Sequence, residues 1–578
     1  MSGYDLLICG GTLVDGTGAP RRRADVGVRA GRVAAVGKLD GATAGRRIDA
    51  RGLIVAPGVI DPHTHYDAQV FWDPYCTNSG WHGVTSIVVG NCGFGFSPCH
   101  KEDRERYMLM MENTEQIPLG VMRKALPWNW ESYPEWVKSV AGIRKGINLG
   151  SFLPLNSLMI WVMGYAAAKT RPATEAERAE MRRLLIEAMD CGALGFGFSY
   201  LQENNSHKDV DGSPMITDAM HEDEALNLAR VLAERGEGAI QALVETDVLT
   251  ARNRAFVEKL AKISGRPVLH TVIRLSDATG DHHRSILAWL DDTAARGLNI
   301  YSQALAFRFL PMALVVKDFD GWQAMSIFNE FQHPGEGDTL DARVQKARCP
   351  DFRARARETA SGAAEYVANL RIVSAPGSAH FTAQVGKLLK EVALADGQPV
   401  TDVFFDLCAQ TRLACEVCLP RETPDPAFMA EINAHPRVLP GTSDGGAHVK
   451  FWSGGQYGTD LLSWLVRDEG RITLEHMHYK LSKVPAEALG WRDRGSLVVG
   501  SAADIMVYDL AVLGVPTREY ETVWDLPGND WRRIARAQGI RHIVVNGQET
   551  FTDNVCTGAT PGQLLGLAPA PVATVAAG

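Results

Sequence analysis

The stretch "VAPGVIDPHTHYDAQVFWDP", Val55 to Pro74, carries the reading of the chain. An apolar run up to Ile60 ends in two histidines one residue apart, His63 and His65, flanked by Asp61 and Asp67. Residues i and i+2 of a strand point the same way, so both imidazoles can reach one point while Thr64 turns elsewhere. Such a pair fits a divalent-cation site. It also fits two satisfied polar side chains at a loop, and the surrounding sequence must separate the two readings.

Upstream, the chain reads as strands. "DLLICGGTLVDG" has two apolar runs around a Gly-Gly turn, and "ADVGVRAGRVAAVG" reads as a hairpin turning at Ala30-Gly31. Near the other end, "GSLVVGSAADIMVYDL" and "IRHIVVNGQETF" read as strands again, with a turn at Asn546-Gly547. Residues 1–57 and 490–565 are therefore expected to form one small β-sandwich from both termini. Residues 566–578, ending in "APAPVATVAAG", read as a disordered tail.

Between them the pattern becomes strand-then-helix, which implies parallel βα units. Eight strands are expected: Gly58 to His63, Val84 to Asn91, Ile147 to Leu153, Ala193 to Ser199, Ala239 to Glu245, Pro267 to Val272, Leu298 to Leu305 and Val438 to Asp444. The clearest helix is "TEAERAEMRRLLIEAMDCGA". Thr174 and Glu177 make a capping box, Met181, Leu184, Leu185 and Ala188 an apolar face, and Gly192 the stop. The fold class is α/β, a TIM-like (β/α)8 barrel over residues 58–489. A long insertion near 306–436, which includes "WQAMSIFNEFQHPGEGDTLDARV", is expected to cover the barrel mouth.

Composition removes several classes of function. At 578 residues the chain exceeds one small core. Its 46% hydrophobic and 22% charged content is that of a soluble globular protein. A net charge of −9 argues against a nucleic-acid partner. The absence of an 18-residue apolar run argues against a membrane span, and "MSGYDLLICGG" does not read as a signal peptide. Ten cysteines without a framework spacing suit a reducing, cytoplasmic setting. Cys415 and Cys418 form a C-x-x-C with no second pair.

In a barrel of this kind the C-terminal strand ends face the active site. Strand one ends in His63-x-His65, strand two in "GNCGFG" with Cys92, and strand five near Glu245. Strand six carries His270, and strand eight ends in "GTSDGGAH" with Asp444 and His448. Imidazole, thiolate and carboxylate on one rim suit a borderline-soft divalent ion, zinc first. Tyr200 after strand four either faces the pocket or packs as an aromatic. His282 and His283 read as a surface pair at a helix start, and His207 as a solvated loop residue.

"GLIVAPGVIDPHTHYD" resembles the first metal motif of the amidohydrolase superfamily. "GVTSIVVGNCGFGFSP", "PWNWESYPEW", "TEAERAEMRRLLIEAMDCGALGF", "GTSDGGAH" and "TGATPGQLL" resemble its D-aminoacylase branch, the N-acyl-D-amino-acid deacylases. The resemblance covers nearly the whole chain and is weakest from Ala306 to Thr401. It implies a TIM-like barrel, a β-sandwich from both termini, and zinc-dependent hydrolysis of amide C–N bonds. It assigns His63 and His65 to the first-strand pair, Cys92 to the branch's cysteine ligand, His270 to the sixth-strand ligand, and Asp444 to the general base and further ligand. No lysine lies in "GALGFGFSY", so a carbamylated bridging lysine is not expected.

Two departures stand out. Where the family places a fifth-strand histidine, this chain has Val244 and Glu245. Glu245 either replaces it as a carboxylate ligand or is an ordinary strand end. In the second case one ion is held by His63, His65, His270 and Asp444. Where the branch carries a lysine after its sixth-strand histidine, this chain has Val272, with Arg274 nearby as either a substrate-binding residue or a surface one. "HVKFW" then makes Lys450 the expected partner of a substrate carboxylate, more loosely than a bidentate arginine would be, and His448 the expected oxyanion donor. The resemblance implies a deacylase of N-acyl-D-amino acids or related linear amides, with one or two zinc ions. The alternatives are a hydrolase of cyclic amides or other C–N bonds, and a non-catalytic binding relative, against which the retained donors argue. The expected partner is a small-molecule amide, and a homo-oligomer stays open.

Overall fold

The computed structural model describes residues 3–566 except 203–206, 208, 210, 246–247, 276–279, 306, 309, 320–325, 333–338, 359–360, 421–422 and 518. Part of "WQAMSIFNEFQHPGEGDTLDARV" and residues 567–578 of the expected tail thus lie outside the described residues.

The strand Tyr4–Leu13 runs straight through Gly10 and Gly11. Its pairing with Arg22–Arg29 slips between Ile8 and Gly11, so the glycines expected to turn the chain mark a bulge instead. The other two turns stand where the sequence puts them. Ala30-Gly31 has φ of 49° and 76°, and Asn546-Gly547 has 45° and 81°, the paired positive values a two-residue hairpin turn requires. These strands belong to one nine-stranded sheet. In it Ile54–Pro57 lies parallel to Tyr4–Leu13 and antiparallel to Ile505–Tyr508, so segments from both termini are neighbours. The sheet's alternation splits its side chains between two cores. Ile505, Val507 and Val544 pack with Leu6, Ile8, Val26 and Ile48, whereas Met506, Tyr508 and Ile543 join the main core.

The main body is α/β. Each of the eight expected strands coincides with a parallel strand: Val59–Asp61, Val84–Val89, Asn148–Ser151, Gly195–Ser199, Ala239–Leu243, Val268–Arg274, Ile300–Leu305 and Val438–Pro440. The first three form one sheet. The other five and Leu153–Pro154 form a six-stranded sheet. Only Phe152 separates the third strand from Leu153–Pro154, and a parallel bridge joins Thr64 to Gly445 at the opposite side. Ile60, Val88, Phe152, Leu194, Ala239, Leu269, Tyr301 and Leu439, from all eight strand segments, pack into one cluster. That cluster sets the phase. Two residues further along strands five to seven, Gln241, Thr271 and Gln303 face the same interior.

Helix Glu175–Asp190 starts at Thr174 with both halves of the capping box formed and buries Met181, Leu185 and Ala188. Between strands seven and eight the chain builds a separate antiparallel sheet of Met312–Val315, Glu416–Leu419 and Arg371–Ser374. Phe331, Phe352, Phe404 and Phe405 form its core, which takes in Phe451, seven residues beyond Asp444. The insertion is thereby anchored beside the end of strand eight. Among the described residues no helix is long and apolar enough to cross a membrane.

Candidate metal centre

Ligand atoms of His63, His65 and Cys92 lie within 4.8 Å of one another. His63 Nε2 is 3.4 Å from Cys92 Sγ and 3.4 Å from Asp444 Oδ1. His65 Nε2 is 3.8 Å from Asp444 Oδ1 and 3.5 Å from Glu115 Oε2. The nitrogen–oxygen separations exceed ordinary hydrogen bonds. They sit close to the edges, about 3.3–3.7 Å, of a tetrahedron of nitrogen, oxygen and sulfur ligands around zinc. The donor set therefore fits a divalent ion. Cys92 and Asp444 both occupy the left-handed region, with φ of 54° and 47°, a conformation that costs a non-glycine residue about 1–3 kcal/mol and recurs at functional sites.

The inward layer of strands five to seven buttresses this cluster. The Cys92 backbone N–H donates to Gln241 Oε1 at 2.6 Å, and Gln241 Nε2 donates to Thr271 Oγ1 at 3.0 Å. The Thr271 hydroxyl donates to Gln303 Oε1, which also lies 2.9 Å from His63 Nδ1. An amide oxygen only accepts, so His63 Nδ1 carries the proton and Nε2 turns its lone pair to the cluster. Asp61 accepts from the Ser443 hydroxyl at 2.5 Å, and Asp67 from the Gly90 N–H at 3.1 Å, so the carboxylates flanking the histidine pair lock the strand ends together.

Burial depresses His63 to about 4 and lowers His65 as well, which keeps both imidazoles in the neutral, ligating form. Burial, with Glu115 and Asp444 nearby, raises the Cys92 thiol. Burial pushes Asp444 up to about 7 and Glu115 well above the usual carboxylate range. A bound divalent charge inverts such shifts and deprotonates the thiol.

A cavity of about 280 Å³ opens over the cluster, bordered among others by Glu115, His207, Leu243, Arg274, His448 and Trp452. Arg274, the exposed end of strand six, is the arginine on this wall. His207, expected in solvent, borders the cavity with its ring edge to Phe94. His448 stacks on Trp452 with ring centres 4.9 Å apart, and its Nδ1 lies 2.9 Å from Gln116 Oε1. That acceptor holds the proton on Nδ1. Nε2 then faces the cavity as an acceptor, which does not suit the expected oxyanion-donor role.

Other expected residues are placed elsewhere. Leu269 faces the strand interior, so His270 must face the helices. Its Nδ1 meets Ser302 Oγ at 3.0 Å and its ring meets Trp289, away from the cluster. Glu245 turns to the following helix and accepts from the Thr250 N–H at 3.2 Å. The residue that strand five turns into the cavity is Leu243. Lys450 is paired with Asp530 at 3.0 Å and lies over Trp531, so its charge is committed outside the cavity. Tyr200 accepts from Arg252 at 3.0 Å and lines a different cavity, of about 1110 Å³. His283 is buried against Phe428, not on the surface. Cys415 and Cys418 are both buried in the insertion, away from the cluster.

Sequence reasoning missed Glu115, Gln116, Gln241, Thr271 and Gln303. Each of the three strand residues lies two positions after one that packs inside, Ala239, Leu269 or Tyr301, a phase that only the packing reveals. Glu115 ends a helix, Arg104–Glu115, whose amphipathic pattern points nowhere in particular, and no strand rule reaches it.

The amidohydrolase family profile matches residues 46–300 and 341–551. The chain belongs to the amidohydrolase family. This amidohydrolase is 27% identical to an N-acyl-D-glutamate deacylase of Alcaligenes xylosoxydans xylosoxydans over 95% of its own length and 93% of the relative's. It is 27% identical to a D-aminoacylase of the same organism over 97% of both chains. Among solved structures it resembles the N-acyl-D-glutamate deacylase of Bordetella bronchiseptica complexed with zinc and a phosphonate inhibitor. The TM-score is 0.65 at 24% identity, over 98% of this chain and 100% of that one. A D-aminoacylase whose binuclear metal centre has been studied matches with the same TM-score at 22% identity, over 97% of this chain and 100% of that one.

Proposed function

We propose that this amidohydrolase hydrolyses the amide bond of N-acylated amino acids, D-enantiomers first, with a divalent metal, zinc by preference. The observation that carries the reading is the convergence of His63, His65 and Cys92 within 4.8 Å, with Asp444 3.4 Å from His63 on the cavity side. The relatives that span nearly the whole chain, named as N-acyl-D-glutamate and N-acyl-D-aspartate deacylases and D-aminoacylase, support the substrate class. We read the two parallel sheets, joined at Phe152 and at Thr64–Gly445, as one (β/α)8 barrel over residues 58–489 with its insertion at 306–436. The terminal segments 1–57 and 490–565 then form the small β-sandwich. The packing of strands from both termini onto one shared core supports that division.

His63, His65 and Cys92 would hold the ion, and bound there it supplies Lewis acidity to the scissile carbonyl and the attacking water. Asp444, 3.4 Å from His63 Nε2 at the cluster, takes the proton from that water and returns it to the leaving nitrogen. Gln303 and Gln241 hold His63 and the Cys92 loop in register. Leu243, Val272 and Trp452 keep the walls apolar and exclude water. Arg274, which borders the cavity where Lys450 does not, is our candidate partner for a substrate carboxylate.

The experiment is a comparison of N-acyl-D-amino acids, their neutral amides and cyclic amides on the wild type and on Arg274→Ala. The expected outcome is turnover of the linear acids, with KM raised roughly tenfold or more in the variant and the neutral amides unaffected. Preferred turnover of cyclic amides, or an equal effect on charged and neutral substrates, would overturn the carboxylate-anchored deacylase.

A further inference from the structure

The family neighbour with a binuclear centre poses a question that this chain's own walls answer differently. Strands five and six turn Leu243, Thr271 and Val272 to the cavity. Two of these have no donor atom, and the Thr271 hydroxyl is occupied between Gln241 and Gln303. Among the described residues, the nitrogen and sulfur donors that lie within 4.8 Å of one another are those of His63, His65 and Cys92. A carboxylate stands next to them that no strand supplies. Glu115 is 3% exposed, and its Oε2 lies 3.5 Å from His65 Nε2 and 4.0 Å from His448 Nε2.

The placement of Glu115 is built in. The helix Arg104–Glu115 stops there because Gln116 takes the left-handed conformation, φ 54°. The Glu115 carbonyl accepts the His448 N–H at 2.7 Å, and the Gln116 side chain holds the His448 ring at 2.9 Å. The helix end is thereby stitched to the loop that carries Asp444, and the carboxylate is directed at His65. At 3.5 Å the Glu115 carboxylate and His65 Nε2 are too far apart for an ordinary hydrogen bond and are spaced as two donors to one ion.

We propose that Glu115 supplies the fourth protein donor of a single-ion site built on His63, His65 and Cys92. The proposal rests on the metal-dependent reading above. It leaves Asp444 to handle the proton, separating the ligand carboxylate from the base.

The test is metal content and affinity of the full chain, loaded with zinc or cobalt(II) and dialysed, as wild type, Glu115→Gln, Glu115→Asp and Glu245→Gln. One equivalent is expected in the wild type and in Glu245→Gln. Glu115→Gln is expected to bind more weakly in chelator competition by at least the roughly 10–100-fold lost with an outer-shell partner. Its cobalt form should keep the thiolate charge-transfer band of Cys92 while the ligand-field bands move, and Glu115→Asp should fall between. Two equivalents in the saturated wild type, or wild-type affinity and spectrum in Glu115→Gln, would overturn the proposal. If Glu115→Gln does not fold, anomalous diffraction from the zinc-loaded wild type decides, and an ion beyond bonding distance of Glu115 overturns it. Amide hydrolysis is measured separately. A chain that binds one ion through Glu115 and hydrolyses no amide refutes the assigned reaction and leaves the site intact.

Discussion

Gln303 shows how much of this site is set by a residue that makes no bond to a ligand atom. Its Oε1 fixes the tautomer of His63 and takes the Thr271 hydroxyl, and its Nε2 donates to the Pro62 carbonyl at 3.2 Å. Gln303→Leu keeps the volume and removes the acceptor. The expected result is a folded protein whose metal affinity falls on the order of 10–100-fold, the usual range for a partner of a ligating histidine. Gln303→Glu, which keeps an acceptor, should recover most of it. A purely structural role would lower the melting temperature in both variants alike and leave the affinity of the folded fraction unchanged. At this scale the sequence was legible where periodicity sufficed: i, i+2 spacing brings His63 and His65 together, and strand ends bring Cys92 and Asp444 to them. It was not legible where phase mattered. His270 and Thr271 are adjacent, and only the inward packing of Leu269 tells which of them faces the interior.

At the scale of elements, the joining of the two termini is a matter of strand neighbours and one charged cluster. Arg46, on the parallel strand Ala44–Asp49, meets Glu549 on Gln548–Thr552 at 3.1 Å. Glu549 also accepts from His542 Nδ1 at 2.5 Å and from the Thr552 hydroxyl at 2.7 Å. Burial alone would raise the Glu549 carboxyl. The hydrogen bonds from His542 and Thr552, with the charges of His542 and Arg46, outweigh it and hold the group at about 2. A depressed folded-state pKa contributes stability above the ordinary value of 4.5, and that contribution is lost as pH falls toward about 2. Glu549→Gln is therefore expected to melt below the wild type at pH 7, with the gap closing between about pH 4.5 and 2. Thermal melts of both proteins across that range check it, and a gap independent of pH would mean the cluster adds packing and not charge. The element reading of the sequence went astray at Gly10-Gly11 because two glycines permit a turn and a bulge equally, and only the partner strand chooses between them. Helix Glu175–Asp190 was legible because its cap, face and stop agree, whereas Arg104–Glu115 carries Glu115 to the site with no such pattern.

At the scale of the molecule, the strand that leads into the metal centre is also a central strand of the terminal sheet. Ile54–Pro57 pairs on one side with Ile505–Tyr508, and the Gly58 N–H donates to the Asp504 carbonyl at 2.9 Å. His63 follows five residues after Gly58, so the register of the site depends on segments more than 440 residues downstream. Asn78 and His82, behind the first parallel strands, bond the backbone of Ala535 as well. A chain ending at Gly500 would lose the buried side chains Ile505, Met506, Val507, Tyr508, Ile543, Val544, Val545 and Phe551. At the lower bound for burying one large apolar side chain, about 1.5 kcal/mol, these eight contribute ~12 kcal/mol as an upper-limit sum. That is comparable with the whole stability of a typical domain, about 5–15 kcal/mol. The full chain is accordingly expected to lose its terminal sheet and its metal site in one cooperative transition, followed by calorimetry and by release of bound cobalt. The shortened chain is expected to show no cooperative melt and no metal uptake. A shortened chain that melts cooperatively and still takes up one equivalent would mean that the βα body holds His63 and His65 in register by itself, and that the terminal sheet is an appendage.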